Sequence, residues 1–102
     1  MTTQVQFTPR AEAQVSEAAL WWRANRLAAP SLFEEELAMA LQLLGALPDI
    51  GRRYTHPRIS GVRRLLMPRI RYHLYYVHDE RGRVVIILSL WSSVRGRGPQ
   101  LR

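Results

Sequence analysis

The sequence contains no cysteine and no lysine. The absence of cysteine excludes a disulfide framework, a thiolate zinc site and a cysteine nucleophile. No apolar run approaches the roughly 18 residues that a membrane-spanning helix requires, and residues 1–7 lack the basic and apolar regions of a signal peptide. We therefore expect a cytoplasmic protein that does not bind a membrane.

The length and composition are those of one globular domain. A chain of 102 residues can form a single hydrophobic core without a disulfide or metal to support it. A content of 47% hydrophobic and 23% charged residues argues against intrinsic disorder. We expect one domain over residues 1–102.

The charge is divided unequally along the chain. All fifteen basic residues are arginine, which a GC-rich coding bias alone would produce, and the formal net charge is +7. Residues 1–51 hold three arginines and six acidic residues, a net charge of −3, whereas residues 52–102 hold twelve arginines and two acidic residues, a net charge of +10. The second half therefore predicts a basic surface that attracts nucleic acid or an acidic protein partner.

The first half predicts one strand and two helices. Residues 3–7 alternate polar and apolar side chains, as in a short strand. Thr8 is an N-cap candidate followed by proline, and the helix should continue to about residue 26. A capping box formed by Ser31 and Glu34 begins a second helix, which Pro48 ends. Two helices joined by a short loop form an αα-hairpin.

The second half predicts strands. Residues 48–61 contain two prolines and two glycines and predict a loop. Three strands are expected after it, at residues 62–67, 70–78 and 83–91, with Gly82 supplying a positive φ in the last hairpin turn. The order β-α-α-β-β-β predicts an α+β fold, in which the αα-hairpin packs on one face of a mostly antiparallel sheet. The other face is then partly open.

Several kinds of site are missing from the sequence. The three histidines, at positions 56, 73 and 78, show no metal-ligand spacing, so we expect neither a metal nor a cofactor. No glycine-rich nucleotide loop follows a strand, and no G-x-S-x-G motif is present.

Arginine, histidine and tyrosine are concentrated on the predicted strands. Alternation places Arg71, His73 and Tyr75 on the open face, beside Arg63 or Arg64 of the neighbouring strand. A metal-independent ribonuclease needs such groups, because a guanidinium stabilises charge on the phosphate while histidine or tyrosine moves a proton. The same residues could instead decorate a solvated face or bind an acidic partner, and the pattern alone leaves these alternatives open.

Four motifs in a fixed order carry a family resemblance. They are Leu-Pro-Asp-Ile-Gly at 47–51, Val-Arg-Arg-Leu at 62–65, Tyr-His-Leu-Tyr-Tyr at 72–76 and Val-Val-Ile-Ile-Leu-Ser-Leu-Trp at 84–91, followed by a basic tail. With the β-α-α frame before them, these motifs resemble the RelE/ParE superfamily of toxins from type II toxin–antitoxin modules, over residues 3–99. The resemblance implies a RelE-like fold.

The superfamily contains two activities. Toxins of the RelE branch cut mRNA on the ribosome, and those of the ParE branch inhibit DNA gyrase by binding. In the RelE branch a catalytic arginine occupies the position of His73, and a second arginine after the last strand corresponds to Arg95. A tyrosine that this branch carries in a C-terminal helix has no counterpart after Tyr76. An mRNA endonuclease that acts on the ribosome remains the alternative, and its catalytic residues would be Arg64, His73 and Arg95.

The long αα-hairpin and the basic tail are more similar to the ParE branch. The resemblance therefore implies a toxin that is not an enzyme, binds DNA gyrase and is neutralised by an acidic, ParD-like antitoxin. Residues 95–102 are expected to form a basic flexible tail. The residues expected to contact the target or the antitoxin are Arg63, Arg64, Arg71, His73, Tyr75, Trp91, Arg95 and Arg97.

Overall fold

The computed structural model describes residues 3–94, 98–99 and 101, which form two helices and five strands. No helix within these residues is long and apolar enough to cross a membrane. In chain order the elements are β1 (Gln4–Phe7), α1 (Pro9–Asn25), α2 (Leu32–Ala46), β2 (Arg52–Arg53), β3 (Val62–Met67), β4 (Tyr72–Asp79) and β5 (Val84–Ser92).

Helix α1 begins as the sequence predicts. The Thr8 backbone is extended (φ −70°, ψ 159°), and its hydroxyl oxygen accepts a hydrogen bond from the Ala11 backbone N–H at 3.2 Å. The following proline occupies the first turn, where a helix needs no N–H donor. Of two adjacent tryptophans, Trp22 is buried and donates from Nε1 to the Ala29 carbonyl at 2.8 Å, whereas Trp21 is 47% exposed.

The predicted capping box at the start of α2 is wrong. Ser31 has near-helical angles (φ −96°, ψ 0°), and its side chain accepts no bond from a backbone N–H. Its hydroxyl donates to a Glu35 carboxylate oxygen at 2.7 Å, while Glu34 pairs with Arg23 of α1. The acidic first turn still suits the positive end of the helix dipole, and the Glu34–Arg23 pair joins the two helices of the hairpin.

The sheet confirms the mostly antiparallel α+β architecture. Its strand order is β1-β5-β4-β3-β2. β1 runs parallel to β5, and the other neighbouring strands are antiparallel. Helix α1 packs chiefly on β5, and α2 contacts both β1 and β3. The hairpin thus covers one face, and we call the opposite face the open face.

The predicted loop over residues 48–61 contains a short strand. β2 pairs with β3, with Arg52 opposite Arg64 and Arg53 opposite Arg63. A strand of two residues is too short for its side-chain alternation to be recognised in a sequence. This pairing brings two further arginines to the edge of the sheet.

Two arginines with a left-handed backbone interrupt the predicted strands. Arg71 (φ 59°) precedes β4, so this strand begins at Tyr72 and later than the sequence indicated. In the β4–β5 turn the positive φ belongs to Arg83 (φ 52°) and not to Gly82. The Gly82 N–H instead donates a hydrogen bond of 3.2 Å to the Asp79 carboxylate. Aspartate favours local turns that are closed by such a bond from its side chain to the backbone.

The main core lies between the hairpin and the sheet. Leu74 and Tyr76 of β4 are fully buried there, as the predicted alternation requires. The other buried members come from both helices, from strands β3 and β5, and from the β3–β4 turn: Ala11, Ala18, Trp22, Phe33, Leu37, Ala40, Leu44, Met67, Ile70, Val85, Ile87 and Leu90.

Candidate functional site

The open face carries a small apolar cluster of its own. Its buried members are Val62, Tyr75 and Leu101. The partly buried residues packed around them are Tyr54, Ile59, Val77, Leu88 and Trp91. Burial of so much aromatic and aliphatic surface on this side gives the open face a fixed shape.

Aromatic rings stack edge to face within this cluster. The ring centroids of Tyr54 and Tyr75 are 4.9 Å apart with an interplanar angle of 79°, and those of His73 and Tyr75 are 5.9 Å apart at 65°. This geometry suits the ring quadrupoles. Tyr75 is only 2% exposed, so it lies beneath the surface that a partner would meet and supports the residues around it.

Arg64 lies above these rings beside a second arginine. Its guanidinium carbon is 5.5 Å from the centroid of Tyr54, and Nη1 donates a long hydrogen bond of 3.5 Å to the Tyr75 hydroxyl. Arg52 is its direct cross-strand neighbour, and such neighbours share one face of a sheet. Among the described residues no carboxylate forms an ion pair with Arg52 or Arg64. The open face thus presents two adjacent positive charges, and that of Arg64 lies over a tyrosine ring.

His73 is the third polar group of the surface, opposite Leu66 and Trp91 in the sheet register. Burial lowers the pKa of His73 below its ordinary value of 6.5, and the charge of Arg64 lowers this pKa further. The imidazole is therefore neutral near pH 7, the form that can accept a proton.

This pKa predicts how stability depends on pH. Below about pH 6.5 the unfolded chain binds a proton at His73 that the folded protein resists, so the free energy of unfolding should decrease as the pH is lowered through this window. Chemical denaturation at a series of pH values from 5 to 8 measures this dependence. The free energy of unfolding should change less with pH for His73→Gln than for the parent protein. Equal slopes in this window would contradict the prediction.

One of the predicted contact arginines lies away from this surface, and a second does not belong to the strand in which it was expected. Arg63 alternates to the helix side, where Nη1 donates to the Gly51 carbonyl at 2.8 Å and Nε lies 3.8 Å from the Asp49 carboxylate. Arg71 precedes the strand in a left-handed turn, so the prediction that it alternates with His73 is wrong. Arg63 supports the loop after α2, and Arg64 is the member of the pair that lies beside His73.

The remaining predicted contacts involve the end of the chain. Trp91 packs at the border of the apolar cluster, whereas Arg95 and Arg97 lie outside the described residues. In the predicted tail, Leu101 is 6% exposed and belongs to the cluster. The mobility of residues 95–102 stays a prediction.

The structure also brings together groups that sequence spacing could not connect. Ligand atoms of Asp49, His78 and Glu80 lie within 4.8 Å of one another and could hold a metal ion. Nδ1 of His78 is 2.9 Å from an Asp49 oxygen that also lies 3.8 Å from Nε of Arg63, so a hydrogen bond and an ion pair account for the position of the Asp49 carboxylate. Because 29 residues separate the aspartate from the histidine, no local motif indicated this contact.

A cleft of about 480 Å³ lies at the loop that joins β2 to β3. It is lined by the loop that joins these strands and by Tyr54. Within the loop, Nδ1 of His56 accepts hydrogen bonds from the backbone N–H groups of Arg58 and Ile59, both at 3.1 Å. His56 therefore shapes the loop.

Comparison with protein families identifies one that covers most of the chain. The family described as "ParE toxin of type II toxin-antitoxin system, parDE" matches residues 5–95. No curated protein sequence matches the chain.

Three solved structures share the fold. The RelBE2 toxin–antitoxin complex of Mycobacterium tuberculosis has a TM-score of 0.67 and 18% identity, and the match covers 90% of this chain and 99% of that chain. The chromosomal ParDE system of P. aeruginosa has a TM-score of 0.65 and 16% identity, and the match covers 88% of this chain and 95% of that chain. A double mutant of the E. coli toxin RelE in the free state has a TM-score of 0.57 and 18% identity, and the match covers 92% of this chain and 86% of that chain.

Proposed function

The chain belongs to the ParE toxin family of type II toxin–antitoxin systems, and from this membership we propose that it inhibits DNA gyrase by binding. As the toxin of such a module, it has a cognate antitoxin as its partner. We propose further that an acidic segment of this antitoxin covers the open face.

The observation that carries the proposal of an acidic antitoxin segment is the pair of adjacent arginines on the open face. Arg52 and Arg64 stand opposite each other without an ion-pair partner among the described residues. Like charges in direct cross-strand positions destabilise a sheet. An external carboxylate would relieve this repulsion and could accept charge-assisted hydrogen bonds from a guanidinium.

The αα-hairpin supplies an apolar surface in addition to this charged one. Leu20, Leu27 and Met39 are 66%, 80% and 66% exposed. We propose that some of these side chains contact the antitoxin, since apolar surface that a partner covers is removed from water. An amphipathic helix of the antitoxin would fit such a surface. The antitoxin would then contact both the αα-hairpin and the open face.

Gyrase is favoured as the target because the ribonuclease groups of the superfamily are incomplete in this chain. His73 occupies the position at which the resemblance expects a catalytic arginine. Tyr75, whose ring centroid lies 5.9 Å from that of His73, is 2% exposed and cannot approach a ribose hydroxyl without rearrangement. An inhibitor that acts by binding requires none of these groups.

One observation supports the ribonuclease alternative. His73 is held neutral beside Arg64, and a neutral imidazole next to a guanidinium is a possible pair for proton transfer and phosphate stabilisation. The ribosome-dependent endonuclease therefore remains the second candidate function.

A direct comparison of the two targets tests the proposal. Purified toxin, incubated with gyrase, ATP and supercoiled plasmid, should yield linear DNA when detergent and protease are added, and addition of antitoxin should prevent this. His73→Ala should weaken this activity at most in part, because the proposed mechanism uses His73 as a contact and not for proton transfer. In a reconstituted translation reaction, the mRNA should stay intact. Cuts in ribosome-bound mRNA that His73→Ala abolishes, with no linear plasmid, would establish the alternative instead.

A further inference from the structure

Three side chains that can ligate a metal ion meet at the end of β4. One ligand atom of each of Asp49, His78 and Glu80 lies within 4.8 Å of the other two. The aspartate follows α2, whereas the histidine and the glutamate come from the end of β4 and the turn after it. The imidazole is 14% exposed, and both carboxylates are exposed. An ion can therefore reach the cluster from solvent.

Contacts within the protein account for two of the three side chains and leave the third unexplained. Asp49 is hydrogen-bonded to His78 and paired with Arg63. The Glu80 carboxylate has no ion pair or hydrogen bond to another described residue. It lies beside the Asp49 carboxylate, and like charges so close together repel each other. A cation between the two carboxylates would remove this repulsion.

The backbone holds the ligand positions in place. His78 pairs with Val85 in the β4–β5 ladder. The turn that carries Glu80 is closed by a hydrogen bond of 3.3 Å from the Arg83 N–H to the Glu80 carbonyl. The hydrogen bond with His78 already holds Asp49 beside the strand. Because these positions are fixed by the fold, an ion would bind without ordering the backbone around it.

The donor set determines which ions fit. One imidazole nitrogen and two carboxylate oxygens suit zinc and other first-row transition metals, whereas Mg²⁺ and Ca²⁺ prefer oxygen ligands alone. With metal–ligand bonds of about 2.0–2.1 Å, adjacent ligand atoms of one ion lie roughly 2.9–3.4 Å apart. The distance of 2.9 Å between Nδ1 of His78 and Oδ1 of Asp49 meets this requirement. Rotation of an exposed carboxylate can close the wider separations.

We propose that Asp49, His78 and Glu80 bind one divalent transition-metal ion, for which Zn²⁺ is the probe, with water completing the coordination. The ion connects the segment after α2 to the β4–β5 turn. Since the three ligands come together only in the folded chain, binding stabilises the fold. The site uses no residue of the open face, so it is independent of the toxin's target.

Isothermal titration calorimetry of the untagged chain with zinc chloride tests the site, and one Zn²⁺ per chain is expected. Loss of a group that only supports a metal ligand weakens binding by about 10–100-fold, so removal of a ligand should weaken it by at least about tenfold. Glu80→Gln and His78→Gln are the ligand variants. The matched control is Glu17→Gln, which removes an exposed carboxylate of α1 and should keep the parental affinity. Equal affinities for all four proteins, or no binding to the parent, would overturn the proposal.

Magnesium chloride separates coordination by the imidazole from a general attraction between charges. Mg²⁺ should bind the parent at least about tenfold more weakly than Zn²⁺, because an imidazole nitrogen is a poor ligand for it. Comparable affinities for the two ions would overturn the histidine ligand.

Nuclear magnetic resonance and thermal unfolding locate the ion. Zn²⁺ should shift the imidazole ¹⁵N resonances of His78 and leave those of His56 and His73 unchanged, and the opposite pattern would place the ion elsewhere and overturn the site. The melting temperature of the parent should rise with Zn²⁺, and that of Glu80→Gln should rise much less. Without Zn²⁺ this variant should melt no lower than the parent. A lower value would give the carboxylate a role in the turn itself and overturn its assignment to an ion.

Discussion

Replacing Arg64 with glutamate is expected to weaken the complex with the cognate antitoxin by about a hundredfold or more. Loss of a charge pair that a protein interface buries costs roughly 2–5 kcal/mol, and every 1.4 kcal/mol is about tenfold in affinity. The new carboxylate would also face Arg52 directly across the β2–β3 pair. It would then neutralise the charge that the antitoxin is proposed to bind and repel the acidic segment.

Isothermal titration calorimetry of the purified toxin variants with antitoxin would measure this effect. The matched control is Arg81→Glu, an equal change of charge at an exposed position in the β4–β5 turn. This control should lose affinity only through the weaker long-range attraction, an effect that added salt screens. Equal losses for the two variants would show that net charge, and not the open face, determines binding.

Replacing Gly51 with alanine is expected to destabilise the fold by about 2–4 kcal/mol, through overpacking and a lost hydrogen bond together. The added Cβ would lie 2.6 Å from Oη of Tyr76 and 2.8 Å from the backbone oxygen of Arg64. The backbone oxygen belongs to the sheet and cannot move aside. Either the residue 51 backbone or the Tyr76 side chain would have to move to make room for the Cβ. This movement would also disturb the 2.9 Å hydrogen bond from the Gly51 N–H to the buried Tyr76 hydroxyl.

Thermal and urea unfolding would measure this loss, and the melting temperature should fall by more than about 10 °C for a domain of this size. Tyr76→Phe separates the two causes, because it removes the hydroxyl but adds no atom. Gly51→Ala should cost less in the Tyr76→Phe background than in the parent, a non-additivity expected for two residues in contact. A melting temperature that Gly51→Ala leaves unchanged would contradict this account.

The Leu-Pro-Asp-Ile-Gly motif has a physical meaning that the resemblance alone does not supply. Its glycine lies directly on the Tyr76 hydroxyl, and its aspartate contacts both His78 and Arg63. These contacts hold the segment after α2 against the helix side of the sheet, so that the next two residues can pair with β3. The motif therefore supports the strand edge at which Arg52 meets Arg64.

Features that depend on near neighbours could be predicted from the sequence. The Thr8 cap, the two helices and the strand over residues 62–67 follow from side-chain period and from turn chemistry, which act over a few residues. Alternation along β4 separated His73 and Tyr75 from Leu74 and Tyr76 correctly, because successive side chains of a strand point to opposite faces. Charge counts alone indicated a basic second half.

Features that depend on distant residues were decided by the tertiary structure. The sequence could not distinguish Arg63 from Arg64, since only the position of β2 and of Asp49 pairs one arginine and leaves the other facing outwards. It placed Arg71 in a strand that a left-handed residue interrupts. It treated Leu101 as part of a tail, because its apolar contacts are with Val62 and Tyr75, more than twenty residues earlier in the chain. A local pattern shows which side chains share a face, and only the folded chain determines what lies against that face.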